Sequence, residues 1–277
     1  MIGRSRTATV VIGLLTVLAV LAAAIPLAWM ALSSIKPSDA ITSSSPTWFF
    51  APTMEHYSRL FSGGNDLTVY IKNSILAAGL SSLIATVLGA VGGYGLARWN
   101  VPAKRHLAFW IISTRMAPIA AVLLPLYLIF RDLHLLDSLT GLIVAYLTFN
   151  LPFAIWIMNA FFAALPPSLE EAAMTDGASR WAAFWRVALP LTLPGLVTTW
   201  ILCLVFAWND YAFAQTFSGT SGQTLPIAAT QLITQTGIDW GQVSAIGTIV
   251  VLPMVVAGLA VRRWLVTGLT LGAVTGE

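Results

Sequence analysis

Six runs of apolar residues, at 10–32, 73–97, 107–130, 138–165, 191–217 and 241–261, are each long enough to cross the hydrocarbon core of a bilayer, which takes roughly 20 residues of helix. Nothing else constrains this chain so tightly. In hydrocarbon every backbone N–H and C=O must be paired inside the protein, so such runs fold as helices. Four of the six contain no Asp, Glu, Lys or Arg, while the third carries Arg115 and the fifth Asp210. With 57% apolar and 9% charged residues and a mean hydropathy of +0.82, the chain falls outside the range of soluble globular domains. The expected fold class is therefore all-α: a polytopic membrane protein with six transmembrane helices. The first run, uncharged throughout, is too long for the apolar core of a secretory signal and is expected to stay as a span.

With six spans, both termini share a side. That side collects Arg4, Arg6, Arg98, Lys104, Arg105, Arg180, Arg186, Arg262 and Arg263, nine of the fourteen basic residues, whereas the other holds Lys36, Arg59, Lys72 and Arg131. The positive-inside rule puts the nine-residue side in the cytoplasm. The net charge of +3 thus reflects topology and lipid, not a nucleic acid partner. The single cysteine, Cys203, lies in the fifth run and reports nothing about redox compartment.

Between the fourth and fifth runs lies a polar, helix-breaking insertion, 164–190. Ser168 with Glu171 three residues on predicts a capping box starting a short helix after Pro166 and Pro167. Gly177 supplies a conformation that other residues avoid, turning the chain into a second short helix. There Trp181, Phe184, Trp185 and Ala188 recur at helical spacing as an apolar stripe, with Arg180 and Arg186 on other faces. Pro190 and Pro194 then stop that helix and launch the fifth span.

Glu171-Ala172-Ala173, three residues, Gly177, nine residues, then Val187-Ala188-Leu189-Pro190 resembles the EAA loop of ABC importer permeases, with Val187 where isoleucine is usual. Trp208-Asn209-Asp210-Tyr211 and the tail Leu269-Thr270-Leu271-Gly272-Ala273-Val274 extend the likeness to the carbohydrate importer permeases of the maltose-transporter type, in the smaller-permease branch. The resemblance implies the type I permease fold, with residues 1–66 as a first helix and external segment, 67–265 as a five-helix core and 266–277 as a cytoplasmic tail. It also implies four partners: a second, homologous permease, two ATP-binding subunits and an extracytoplasmic sugar-binding protein. ATP and Mg2+ would belong to those subunits, and this chain would hold no cofactor. The ATPase contact falls on Ser168, Glu171, Ala172, Ala173, Asp176 and Gly177. The loop after the fifth span would reach the binding protein through Gly219, Thr220, Ser221, Gly222 and Gln223, although as sequence that stretch reads equally as a flexible, solvated connector.

Ionisable groups within a bilayer are costly and by default face a cavity or a partner. Asp210, with Trp208, Asn209 and Tyr211 beside it, offers rings, an amide, a carboxylate and a phenol of the kind that bind sugar hydroxyls. Its bland alternative is to cap backbone within the bundle. Arg115 lies in Ser113-Thr114-Arg115-Met116-Ala117-Pro118, a segment similar to the trehalose and polyol branches, where Pro118 should kink the span. Asn150 is a further candidate for the path, with interhelical hydrogen bonding favoured for it and for Asn159. Gly89, Gly92, Gly93 and Gly95 suggest close helix packing, and Thr47-Trp48-Phe49-Phe50 an interfacial aromatic patch.

Phosphate-loop, His-Glu-x-x-His, Cys-x-x-Cys and Gly-x-Ser-x-Gly patterns are missing from the sequence. The chain therefore reads as a transport subunit that makes and breaks no bonds. Two alternatives stay open: an ABC permease for another small solute, such as an amino acid or glycerophosphodiester, and an ion-coupled secondary carrier.

Overall fold

The computed structural model describes residues 6–45, 47–62, 66–234 and 237–274, with side chains over 10–45, 47–62, 66–233 and 237–259. In chain order the elements are α1 (Arg6–Ser33), α2 (Ser38–Thr42), α3 (Glu55–Ser62), α4 (Leu67–Arg98), α5 (Lys104–Ser113), α6 (Ile119–Asp132), α7 (Leu139–Ala164), α8 (Ser168–Thr175), α9 (Arg180–Ala183), α10 (Leu189–Leu191), α11 (Leu193–Trp208), α12 (Ala212–Phe217), α13 (Leu225–Gln231), β1 (Ile233–Thr234), β2 (Gly237–Ile238) and α14 (Trp240–Val274). A 3-10 turn, Thr114–Met116, follows α5 and a π turn, Phe184–Ala188, follows α9. The tail quoted above and Arg262 and Arg263 lie where only backbone is described, and Arg4 lies outside the described residues.

Four helices are long and apolar enough to cross a membrane, and two bent pairs bring the number to six when each is taken as one span: Lys104–Met116 with Ile119–Asp132 at 92° and Arg180–Leu191 with Leu193–Trp208 at 74°. The expected kink at Pro118 is thus close to a right angle. Pro118 has no N–H to continue the helix and forces Ala117 into an extended conformation at ψ 136. The fifth run, expected as one helix over 191–217, is interrupted at 209–211 and restarts as α12.

Residues fall into two compact units, Met1–Leu67 with Ala228–Leu252, and Thr68–Ile227 with Pro253–Glu277. Residues 228–252 group with the N-terminal segment in this division. Within that first unit His56 is fully buried, its Nε2 2.8 Å from the Lys36 carbonyl. It fills the space beside Gly241, where any Cβ would collide with its ring. The Lys36 ammonium lies 4.8 Å from the Trp29 ring centroid and 5.1 Å from that of Phe50. The patch at 47–50 is open, with Trp48 and Phe49 exposed. The β1–β2 pair is a two-residue antiparallel ladder in an otherwise helical fold.

In the second unit α4 lies against α7 closely enough that only glycine fits. A Cβ at Gly89 would sit 2.5 Å from the Ala154 Cβ, and one at Gly93 2.6 Å from the Asn159 backbone nitrogen. Lipid tails are as apolar as the side chains, so contact at this range supplies the helix attraction that hydrophobicity does not. Ala90 and Tyr94 of α4, Met158 and Phe162 of α7, and Phe184 and Ala188 of the π turn form one buried cluster. That cluster seats the insertion between the fourth and fifth spans.

Candidate functional site

The candidates in the loop 164–190 form a helix–turn–helix. Pro167 itself takes helical angles (φ −58, ψ −28), and its carbonyl accepts from the N–H groups of Glu170 and Glu171 at 3.0 and 3.1 Å. Helical geometry therefore begins one residue early, and no side-chain hydrogen bond caps α8. The expected Ser168–Glu171 capping box is not formed, because Ser168 lies inside the first turn. At the other end the Gly177 N–H donates to the Met174 carbonyl and the Ala178 N–H to that of Ala173, with Gly177 at φ +91. This is a Schellman closure. The Ser179 hydroxyl then accepts from the Ala182 N–H at 3.1 Å and opens α9.

The expected apolar stripe splits. Phe184 and Ala188 are fully buried, while Trp181 and Trp185 are 53% and 48% exposed. Residues four apart keep company, Phe184 with Ala188 on the buried side and Trp181 with Trp185 on the exposed side, and the π turn, wider than an α turn, sets apart those three apart. Trp181 instead stacks on Phe184 at 5.1 Å.

What anchors α8 is Glu170, absent from the sequence-derived candidates. Its carboxylate is 5% exposed and accepts from the Tyr94 hydroxyl at 2.6 Å and from Arg98 Nε at 2.8 Å. Arg98 also donates from Nη2 to the Leu165 carbonyl at 2.9 Å. This clamp ties the last turn of α4 to the first turn of α8. It leaves Glu171, Ala172, Thr175 and Asp176 exposed on one face, with Ala173 half-buried. Small and acidic residues on an outward-facing helix can engage a basic partner surface, and the clamp bonds α8 to α4.

Of the path candidates, Arg115 and Asp210 come together. They line a cavity of about 440 Å3 with Thr114, Thr148, Phe149, Phe206 and Phe213. The Arg115 guanidinium is held between two rings, 4.2 Å from the Phe153 centroid and 4.0 Å from that of Phe206, and its Nη1 is buried without a partner. Asp210 accepts from the Ala214 N–H at 3.1 Å and the Phe213 N–H at 3.5 Å. It thus caps α12, the structural alternative, and still faces the cavity. The other path candidates do not line it. Asn150 is fully buried and donates to the Cys203 carbonyl at 3.1 Å, joining α7 to α11. Trp208 is buried, Asn209 donates back to the Val205 carbonyl, and Tyr211 is exposed.

The expected flexible stretch 219–223 is pinned. The Ser221 N–H and hydroxyl donate to the Asp137 carboxylate at 2.8 and 2.9 Å, the Thr220 hydroxyl lies 3.4 Å from it, and Asn73 donates to the carbonyls of Ser221 and Gln223 at 2.9 Å each. These bonds from the Ser221 backbone and side chain hold the Asp137 carboxyl below its ordinary pKa. Asp137 itself stands at φ 50, in the left-handed region.

Residues 85–270 match the family described as binding-protein-dependent transport system inner membrane component. The chain belongs to this family. Among inner membrane components of this kind, it is 36% identical over 259 residues to the trehalose transport system permease protein SugB of Mycobacterium tuberculosis, covering 92% of this chain and 93% of that one. It is 34% identical over 253 residues to the diacetylchitobiose uptake system permease protein DasC of Streptomyces coelicolor, covering 91% of each. In fold it is similar to a chain of a bacterial ABC transporter involved in import of the acidic polysaccharide alginate, with TM-score 0.74 and 24% identity over 95% of this chain and 99% of that one. This inner membrane component thus has the fold of an ABC importer permease chain and is a transport-system permease by family.

For this permease, sequence reasoning placed the helix–turn–helix but missed the Arg98–Glu170–Tyr94 clamp. A trace of it was present: Arg98 is a cation at the end of a span, and Glu170 is an acid beside the motif. Their separation in sequence hides that they meet.

Proposed function

We propose that this chain is one of two homologous permease subunits of an importer driven by two ATP-binding subunits and supplied by an extracytoplasmic sugar-binding protein. Its cargo is a carbohydrate of the trehalose or maltose type, or a polyol. Two relatives named for trehalose and diacetylchitobiose support the cargo class, as does a cavity whose aromatic walls surround Arg115 and Asp210, a mix suited to sugar faces and hydroxyls. ATP and Mg2+ bind to the partner subunits, where hydrolysis occurs, and both termini of this chain lie in the cytoplasm.

The observation that carries the reading is α8: clamped by Glu170 to α4, turned by Gly177 and exposing Glu171, Ala172 and Asp176. Closure of the ATP-binding subunits pulls on this element and turns the bundle from inward-facing to outward-facing as a rigid-body change. Cargo biases that equilibrium only by binding one state more tightly. The test is ATP-dependent uptake of labelled trehalose by the reconstituted complex. Gly177→Asp is expected to abolish uptake while the chain stays assembled in the membrane; normal uptake by that assembled variant overturns the coupling role. Uptake that survives without ATP and collapses with an uncoupler identifies an ion-coupled carrier instead.

A further inference from the structure

A second cavity, of about 390 Å3, is lined by Leu96, Lys104, Arg105, Ala108 and Asn159. Leu96 is in the last turn of α4, Lys104 and Arg105 open α5, and Asn159 is five residues from the end of α7, ~8 Å of helix at 1.5 Å per residue. The cavity therefore lies at the clamp end of these helices, at the depth of lipid headgroups. It holds two cations and no acid. Lys104 donates to one carbonyl, that of Ala97 at 3.2 Å, and Arg105 makes no ion pair among the described residues. Asn159 Oδ1 is buried and accepts no hydrogen bond. On α5, beside Lys104 and Arg105, Phe109 and Trp110 stand exposed, as does Trp99 before that helix, the aromatic rim typical of a membrane–water interface.

Two cationic donors beside an orphaned acceptor call for a ligand that carries an anion and an O–H donor a short distance apart. We propose that this cavity binds an anionic phospholipid with a hydroxylated headgroup, that is, phosphatidylglycerol. The phosphate sits between Lys104 and Arg105, a headgroup hydroxyl donates to Asn159 Oδ1, and the acyl chains run along Phe109 and Trp110. Free phosphate shares the headgroup chemistry, but the exposed aromatic flank fits only a lipid. The proposal rests on the chain spanning a membrane and is independent of the cargo.

Native mass spectrometry of the purified complex, offered phosphatidylglycerol, phosphatidylmethanol and phosphatidylcholine in equal amounts, tests it. Retention on this chain is expected to fall in that order, since phosphatidylmethanol keeps the charge and lacks the hydroxyl. Lys104→Gln and Arg105→Gln are each expected to lower phosphatidylglycerol retention about five-fold, and Asn159→Ala to erase its preference over phosphatidylmethanol. Inorganic phosphate in excess should leave the lipid bound. Equal retention of the three lipids by the wild-type complex, unchanged retention in the double glutamine variant, or displacement by inorganic phosphate would each overturn the proposal.

Discussion

Removing one side of the Arg98–Glu170 pair should cost far more than removing a surface ion pair. Both side chains are nearly enclosed, 9% and 6% exposed, with the bond at 2.8 Å. Glu170→Ala leaves the guanidinium buried with only the Leu165 carbonyl and the Tyr94 hydroxyl without its acceptor. Stranding a buried charge costs roughly 3–5 kcal/mol, whereas an exposed pair contributes about 0–1 kcal/mol. Replacing both partners by apolar residues of similar volume, Arg98→Met with Glu170→Leu, should recover most of that loss, since no charge is then stranded. A double-mutant cycle on unfolding of the purified complex measures the coupling. Transport separates anchoring from stability: the apolar pair should keep ATP hydrolysis and lose uptake, because α8 is held in place without a directional tie to α4. Single substitutions that each cost under about 1 kcal/mol and add without coupling would refute the clamp. Uptake and hydrolysis falling in parallel would reduce it to a packing feature.

Gly93→Leu places carbon where the α7 backbone already lies, 2.6 Å from Asn159 N, and should lower stability by about 1–3 kcal/mol, read as a drop in the melting temperature of the complex; an unchanged melting temperature contradicts the packing described. Arg115→Met keeps volume between Phe153 and Phe206 but removes the charged donors, so uptake kcat/KM should fall roughly 10- to 100-fold, the worth of a hydrogen bond to a charged group, without loss of thermal stability. An unaltered rate would remove Arg115 from the path. The Asp137 carboxyl has a depressed pKa in the folded chain, so its contribution is present above the unfolded carboxylate value of about 3.9 and is lost as pH falls through the folded value. Amide exchange at Ser221 should accordingly accelerate only in acid, and protection unchanged there would show that the latch does not depend on the charge.

Local information was enough for several features. Hydropathy alone located the six crossings, since each depends only on the length and polarity of one contiguous stretch. The Gly177 turn was legible because a Schellman closure is built from residues within a few positions of one another. Pro118 announced a break, though not its 92° angle, which the packing around the 3-10 turn sets. Where the expected reading failed, neighbouring residues changed the local rule: Pro167 entered the helix and displaced the Ser168 cap, and around the π turn Trp181 and Trp185 stay exposed beside the buried Phe184.

The residues that join distant parts of the chain were not legible in this way. Arg98 and Glu170 are separated by 72 positions and Ser221 and Asp137 by 84, and no periodicity links them. Asp210 and Arg115 were recognisable as costly charges inside a span, but that they share a cavity from which Asn150, Trp208 and Tyr211 are absent depends on how α7 and α11 turn against the broken third span. Burial energies choose which residues form helices, and that preference is written locally in composition and spacing. Pairing of charges and rotation of one helix against another follow from contacts made only after the spans assemble, so they were settled in three dimensions.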